Sequence, residues 1–202
     1  MKMNQASEYR RITVVDIETV SLDSTDSKGA LDALTGRIVC IGLLFDDGQG
    51  ITEAPILEVD ERRLLERFWS ALGESDVLVG HNILEFDLPF IRQRSWIHGI
   101  KPSRGVDLRK YYTADIVDTM QLWNNWAPKK GSKLDNLASA LGCGTKNGHG
   151  EDVAKWWANR DTASILKYCM QDVRLTYHVY CRLMYQQPRR PLVPDVEVGA
   201  LG

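Results

Sequence analysis

A chain of 202 residues with 25 basic against 27 acidic side chains, a net charge of −2 and 44% hydrophobic residues can bury a sizeable core without metal or disulfide staples and is neither disordered nor fibrous. The near-neutral balance excludes a general basic coat for nucleic acid, but not nucleic acid as a substrate. No run approaches the roughly 18 apolar residues of a membrane span, no apolar core follows Met1, and Cys40, Cys143, Cys169 and Cys181 form no Cys-x-x-Cys pair and read as reduced thiols, so a cytoplasmic protein without membrane contact is expected.

In chain order, residues 11–20 (RITVVDIETV) are apolar on both alternating faces, as expected of a strand inside a sheet covered on both sides. Residues 37–45 (RIVCIGLLF) predict a second strand, the cluster 46–50 (DDGQG) a turn, and 51–59 a third strand closing an antiparallel meander. Asp60 caps a helix with Leu64, Leu65, Phe68 and Leu72 inward, ended by Gly73. A short buried strand over 76–80 leads to a helix reaching about Trp96, and 116–122 predicts a further strand. Leu134, Leu137, Ala138 and Leu141 mark a short amphipathic helix closed by Gly142, and Ile165, Cys169, Val173, Tyr177 and Tyr180 a long one over 161–185. The sum is an α/β chain, a mixed sheet flanked by helices, as a single domain over 1–185. Residues 186–202, with three of the seven prolines, read as an irregular C-terminal tail.

Asp16 and Glu18 stand two apart on the first strand, so both side chains leave one face. Paired acids in an apolar strand repel and lose hydration unless a cation sits between them, and hard divalent ions take such oxygen ligands. A second Asp-x-Glu, Asp195 and Glu197, lies among prolines and reads as solvated charge. Asp87 sits where an apolar helical stripe of Phe86, Phe90 and Ile91 begins, and by itself reads equally as an acid favoured by the helix dipole. Tyr168 and Asp172, four apart on the last helix, share a face.

As an ordered set, Asp16-x-Glu18, Asn82-x-x-x-Phe86-Asp87 and Tyr168-x-x-x-Asp172 resemble the three exonuclease motifs of the DEDD superfamily in its tyrosine branch, and most closely the 3′–5′ exonuclease domain of family-B DNA polymerases and its stand-alone relatives. The likeness runs from about Ile12 to Tyr185 and takes in softer features such as Asp118-Thr-Met. It implies a ribonuclease H-like fold and a metal-dependent exonuclease that releases nucleoside monophosphates from the 3′ end of single-stranded or frayed DNA, in preference to RNA. It also implies two divalent ions, Mg²⁺ or Mn²⁺, held by Asp16, Glu18, Asp87 and Asp172, with Tyr168 orienting the attacking water. Proofreading or DNA repair would require a separate polymerase or repair protein as partner.

For the nucleic acid itself, the matching family Asn places Asn82 beside the terminal nucleotide, with Phe86 next in the motif. Trp123, Trp126, Lys129, Lys130 and Lys133 interleave aromatics and bases in a pattern suited to stacking and phosphate tracking; of these, Trp126, Lys129 and Lys130 are the binding candidates. His81 reads as a satisfied turn histidine. Residues 92–110 carry six Lys/Arg against Asp107 alone, placing positive charge just past Asp87.

Overall fold

The computed structural model describes residues 9–23, 25–73, 76–127, 131–146 and 150–192. Its sheet is built on β1 (Ile12–Ser21), which pairs antiparallel with β2 (Gly36–Asp46). The other side of β1 pairs in parallel with β5 (Val77–Gly80), which in turn carries β6 (Ile116–Asp118) in parallel. The remaining edge holds β3 (Ile51–Glu53) and β4 (Ile56–Leu57), both antiparallel to β2. The strand order is β3-β2-β1-β5-β6.

Two expected strands are corrected. The strand expected over 51–59 is split: Leu44 pairs with Glu53 and Ile41 with Ile56, so the register is continuous across the break. The ladder lapses at Pro55, which has no N–H to give. The strand expected over 116–122 stops at Asp118, whose carboxylate accepts from the backbone N–H groups of Met120 and Gln121 and so caps helix α3 (Thr119–Asn124).

Alternation along β1 sorts the core. Val15 and Ile17 face α1 (Glu61–Ala71) and α2 (Asp87–Ile97), where Leu64, Phe68, Leu88 and Ile91 are buried. Ile12 and Val14 face the long helix α6 (Thr162–Leu183), meeting Met170, Val173 and Tyr177. The short helices α4 (Leu134–Ala140) and α5 (Asp152–Ala158) pack along α6 and against the end of β1. Asp16 and Glu18 continue the Ile12/Val14 side and therefore meet α6.

Beyond α6 the chain turns back along the edge of the sheet. Ile51 N–H donates to the Arg190 carbonyl and Leu192 N–H to the Ile51 carbonyl, and Pro191 bridges Ile51. Tyr177 Oη donates to Asp46 and accepts from the backbone N–H of Arg189, which fixes the turn. The expected irregular tail is thus docked as far as Leu192, and 193–202 fall outside the described residues.

How closely α6 lies on the sheet depends on Gly42, the partner of Asp16 across the β1–β2 ladder. A Cβ there would stand 2.5 Å from Val173 Cγ2 and 2.9 Å from Cys169 Sγ, both buried. Gly42→Ala is expected to cost about 1–3 kcal/mol through overpacking, read as a lower urea midpoint with an unchanged slope. A midpoint equal to that of the wild type would show that α6 can back away freely.

Candidate active site

Three elements bring the acids together. Asp16 and Glu18 project from β1 toward α6, and the ladder slips at a bulge between Glu18 and Thr19, a device that re-aims side chains next to sites. From α6, Cys169 Sγ lies 3.8 Å from both the carbonyl oxygen and Oδ2 of Asp16. One donor atom each from Asp16, Glu18 and Cys169 fall within 4.8 Å of one another. Asp87 arrives from the other side of the strand. The parallel pairing of β1 with β5 ends at Val14, which leaves the Ile17 N–H without a ladder partner, and Asp87 Oδ1 accepts it at 3.1 Å. The backbone between Asp16 and Glu18 is thus tied to the first residue of α2.

Asp172, one helical turn beyond Tyr168, accepts from Lys146 Nζ on Oδ2 at 2.8 Å. The same ammonium donates to Tyr168 Oη at 2.9 Å. Asp172 Oδ1 is buried without a hydrogen-bond partner, and Glu18, only 7% exposed, has no hydrogen bond or ion pair among the described residues. Buried carboxylate oxygens without partners are rare in proteins and call for a catalytic role, strain, or a bound water or ion.

The electrostatics agree. Burial, then the charges of Glu18, Asp87 and Asp172, push the Asp16 carboxyl well above its usual range. Burial and the charge of Asp172 do the same to Glu18. Asp87 is pushed up to about 7, first by burial, against its backbone hydrogen bonds and with Asp118 and Asp172 adding to the rise. Burial also raises Asp172, although Lys146 opposes it. Burial alone would lower Lys146, but its bonds to Asp172 and Tyr168 more than reverse this and hold the ammonium charged. Burial takes the Tyr168 hydroxyl up to about 12 despite Lys146. An acidic pocket in which each charge resists its neighbours, with Asp172 Oδ1 orphaned, fits hard divalent cations.

A cleft of about 800 Å³ opens over these groups, lined by Asp16, Tyr168, Asp172, Lys146, His81 and Lys133, among others. His81 bonds Thr119 Oγ1 at 2.9 Å and the Ser132 carbonyl at 2.6 Å. It is a satisfied turn histidine, as expected, yet it still borders the cleft. Asn82, at φ 63°, donates its backbone N–H to Asp118, while its side-chain oxygen is buried without a partner. Phe86 and Trp126 pack half-buried on the main core, Trp126 with its ring 5.0 Å from that of Tyr111, and neither lines the cleft. Lys129 and Lys130 lie outside the described residues.

Lys146 escaped the sequence reading. It sits in a glycine-rich stretch, 22 residues before Tyr168, with no periodicity to place it. Its own N–H is fixed by Asp135 Oδ1 at 3.1 Å, and neither spacing nor composition announces that bond.

Comparison with known proteins supplies the context. A family model described as "Predicted 3'-5' exonuclease related to the exonuclease domain of PolB" matches residues 31–190, a span with Asp87, Tyr168 and Asp172 that starts after Asp16 and Glu18. The chain is 26% identical over 208 residues to a DNA polymerase of Archaeoglobus fulgidus, covering 95% of this chain and 26% of that protein. Among solved structures it is similar to the family B DNA polymerase of Pyrobaculum calidifontis, with a TM-score of 0.68 and 21% identity over 87% of this chain and 25% of that one. It is also similar to exonuclease I, with a TM-score of 0.56 and 13% identity over 89% of this chain and 42% of that one. These likenesses establish the fold expected from the motifs, a ribonuclease H-like mixed sheet flanked by helices. The chain spans only about a quarter of the length of the polymerases it matches.

A pH dependence follows from Asp87. Its folded-state carboxyl titrates at about 7 against 3.8 unfolded, so folding takes up a proton, and that stabilisation is full below pH 3.8 and lost as pH rises through about 7. In chelator, the wild-type melting temperature should fall across this window, and Asp87→Asn should flatten the fall. The same slope in both proteins would remove Asp87 as its source.

Proposed function

We propose, for a chain that belongs to the family of predicted 3′–5′ exonucleases related to the exonuclease domain of PolB, that it hydrolyses the terminal phosphodiester at the 3′ end of single-stranded or frayed DNA and releases nucleoside monophosphates. The observation that carries the reading is the meeting of Asp16, Glu18, Asp87 and Asp172, from one strand and two helices, with a partnerless oxygen left on Asp172. In this reading the four carboxylates hold two divalent ions, Mg²⁺ or Mn²⁺, which when bound neutralise charge on the attacking and leaving oxygens and make water a better nucleophile at neutral pH.

The chain's own groups have separable tasks. Tyr168, protonated at neutral pH because burial takes its hydroxyl up to about 12, accepts from Lys146 and keeps its own O–H free to orient the attacking water. Lys146, held charged, pins Tyr168 and Asp172 in one arrangement and brings a positive charge to the cleft that receives a phosphate. His81 is kept neutral mainly by burial and shapes the wall rather than carrying charge. Asn82, whose side-chain oxygen is buried without a partner, is kept in this reading beside the terminal nucleotide.

The test is a ladder from 5′-labelled oligonucleotides of matched DNA and RNA. Mg²⁺-dependent shortening from the 3′ end of DNA is expected, abolished by Asp16→Ala, Asp87→Ala or Asp172→Ala and slowed roughly 100-fold by Tyr168→Phe. Wild-type activity in the Asp172 variant would sink the assignment. Faster shortening of the RNA would move the substrate to RNA, and no shortening of either at saturating Mn²⁺ would make the chain a binding module.

A further inference from the structure

Cys169 Sγ, 3.8 Å from Asp16 Oδ2, belongs to a thiol that the proposed hydrolysis does not use. We propose that Cys169, Asp16 and Glu18 form a site for a thiophilic divalent cation such as Zn²⁺ or Cd²⁺, bound by one thiolate and two carboxylates, at a position that overlaps the one taken by hard ions. That such an ion would block hydrolysis rests on the nuclease reading; the binding itself does not.

Four observations converge. A four-coordinate ion with sulfur at about 2.3 Å and oxygen at about 2.0–2.2 Å sets its donors roughly 3.5 Å apart, and Cys169 Sγ already stands 3.8 Å from Asp16 Oδ2. One donor atom each from Asp16, Glu18 and Cys169 lie within 4.8 Å of one another. Glu18 is a carboxylate more than nine-tenths buried that faces this group with no other partner among the described residues. The sulfur is also pinned from behind: Gly42 leaves it only enough room to sit against the strand, and Cys169 itself is fully buried, so it cannot swing away into solvent.

The arrangement sorts ions by softness. Within this group Cys169 supplies a thiol beside the two carboxylates of Asp16 and Glu18. Mg²⁺ and Mn²⁺, which prefer oxygen, leave its proton in place. Zn²⁺, Cd²⁺ or Co²⁺ can form the metal–sulfur bond, with the thiol proton released to solvent.

Titrating the full chain with Cd²⁺ or Co²⁺ in Mg²⁺-free buffer, and recording thiolate-to-metal charge-transfer absorption, tests this. A band saturating near one equivalent is expected in the wild type, with affinity reduced roughly tenfold or more and the band lost in Cys169→Ser. Asp16→Asn should weaken binding while the band remains, and Cys40→Ser should retain the band. No band in the wild type overturns the proposal whether or not the variants fold, as does a band that survives Cys169→Ser. Mg²⁺-dependent hydrolysis without a band refutes this site alone; a band in a chain that shortens no 3′ end refutes the nuclease reading alone.

Discussion

Four carboxylates crowd the middle of β1, three of them buried, and most of the surrounding structure answers the cost of ionising all four. Two like charges about 4 Å apart at an effective dielectric near 20 repel by about 4 kcal/mol. Several such pairs would consume a stability that is typically only about 5–15 kcal/mol for a whole domain. The acids must therefore be protonated, paired or bridged by cations. Lys146 takes one oxygen of Asp172, and the raised carboxyls of Asp16, Glu18 and Asp87 register burial first and then the repulsion that remains.

Other buried acids in the chain show what a purely structural carboxylate looks like. Asp76 accepts from Arg11, Thr13 and the Gly73 N–H, and although burial pushes it upward, these bonds bring it below its usual range. Glu61 is likewise lowered against burial by Arg94, the Ile38 N–H and His98. Asp118 serves the N–H groups of Asn82, Leu84, Met120 and Gln121 and so joins the turn after β5 to the start of α3. Each of these three has its partners supplied by the fold. Glu18 does not, and that difference separates the acids that hold the chain together from the group proposed to hold something else.

Much of this was legible in the sequence because it rests on period and order. A spacing of two on β1 sets Asp16 and Glu18 on one face, and a spacing of four on α6 does the same for Tyr168 and Asp172; both follow from backbone geometry alone. The alternation of strands and helices sufficed for the mixed sheet. What could not be read depended on long-range pairing. Lys146 reaches Tyr168 and Asp172 from a glycine-rich loop tied in part by its own N–H to Asp135. The early end of β6 depends on Asp118 capping the next helix, a choice between strand and cap that a short apolar run leaves open. Trp126 shows composition leaving a choice open: its interleaving with lysines suits stacking on bases, and in the fold its ring also lies against Tyr111 and the core.

The return of the chain along β3 has a consequence of a different kind. β3 is the outer strand of the sheet, and an exposed strand edge offers unpaired N–H and C=O groups to any passing extended chain. Here both the N–H and the carbonyl of Ile51 are already taken by Arg190 and Leu192, while Arg189 fastens the segment through Asp46 and the Gly48 carbonyl. The protein thus shields its own border from intermolecular strand pairing with a few residues of its own sequence. Trimming the chain before Arg189 would bare that border, so colloidal behaviour, as much as folding, sets how short a usable version of this molecule can be.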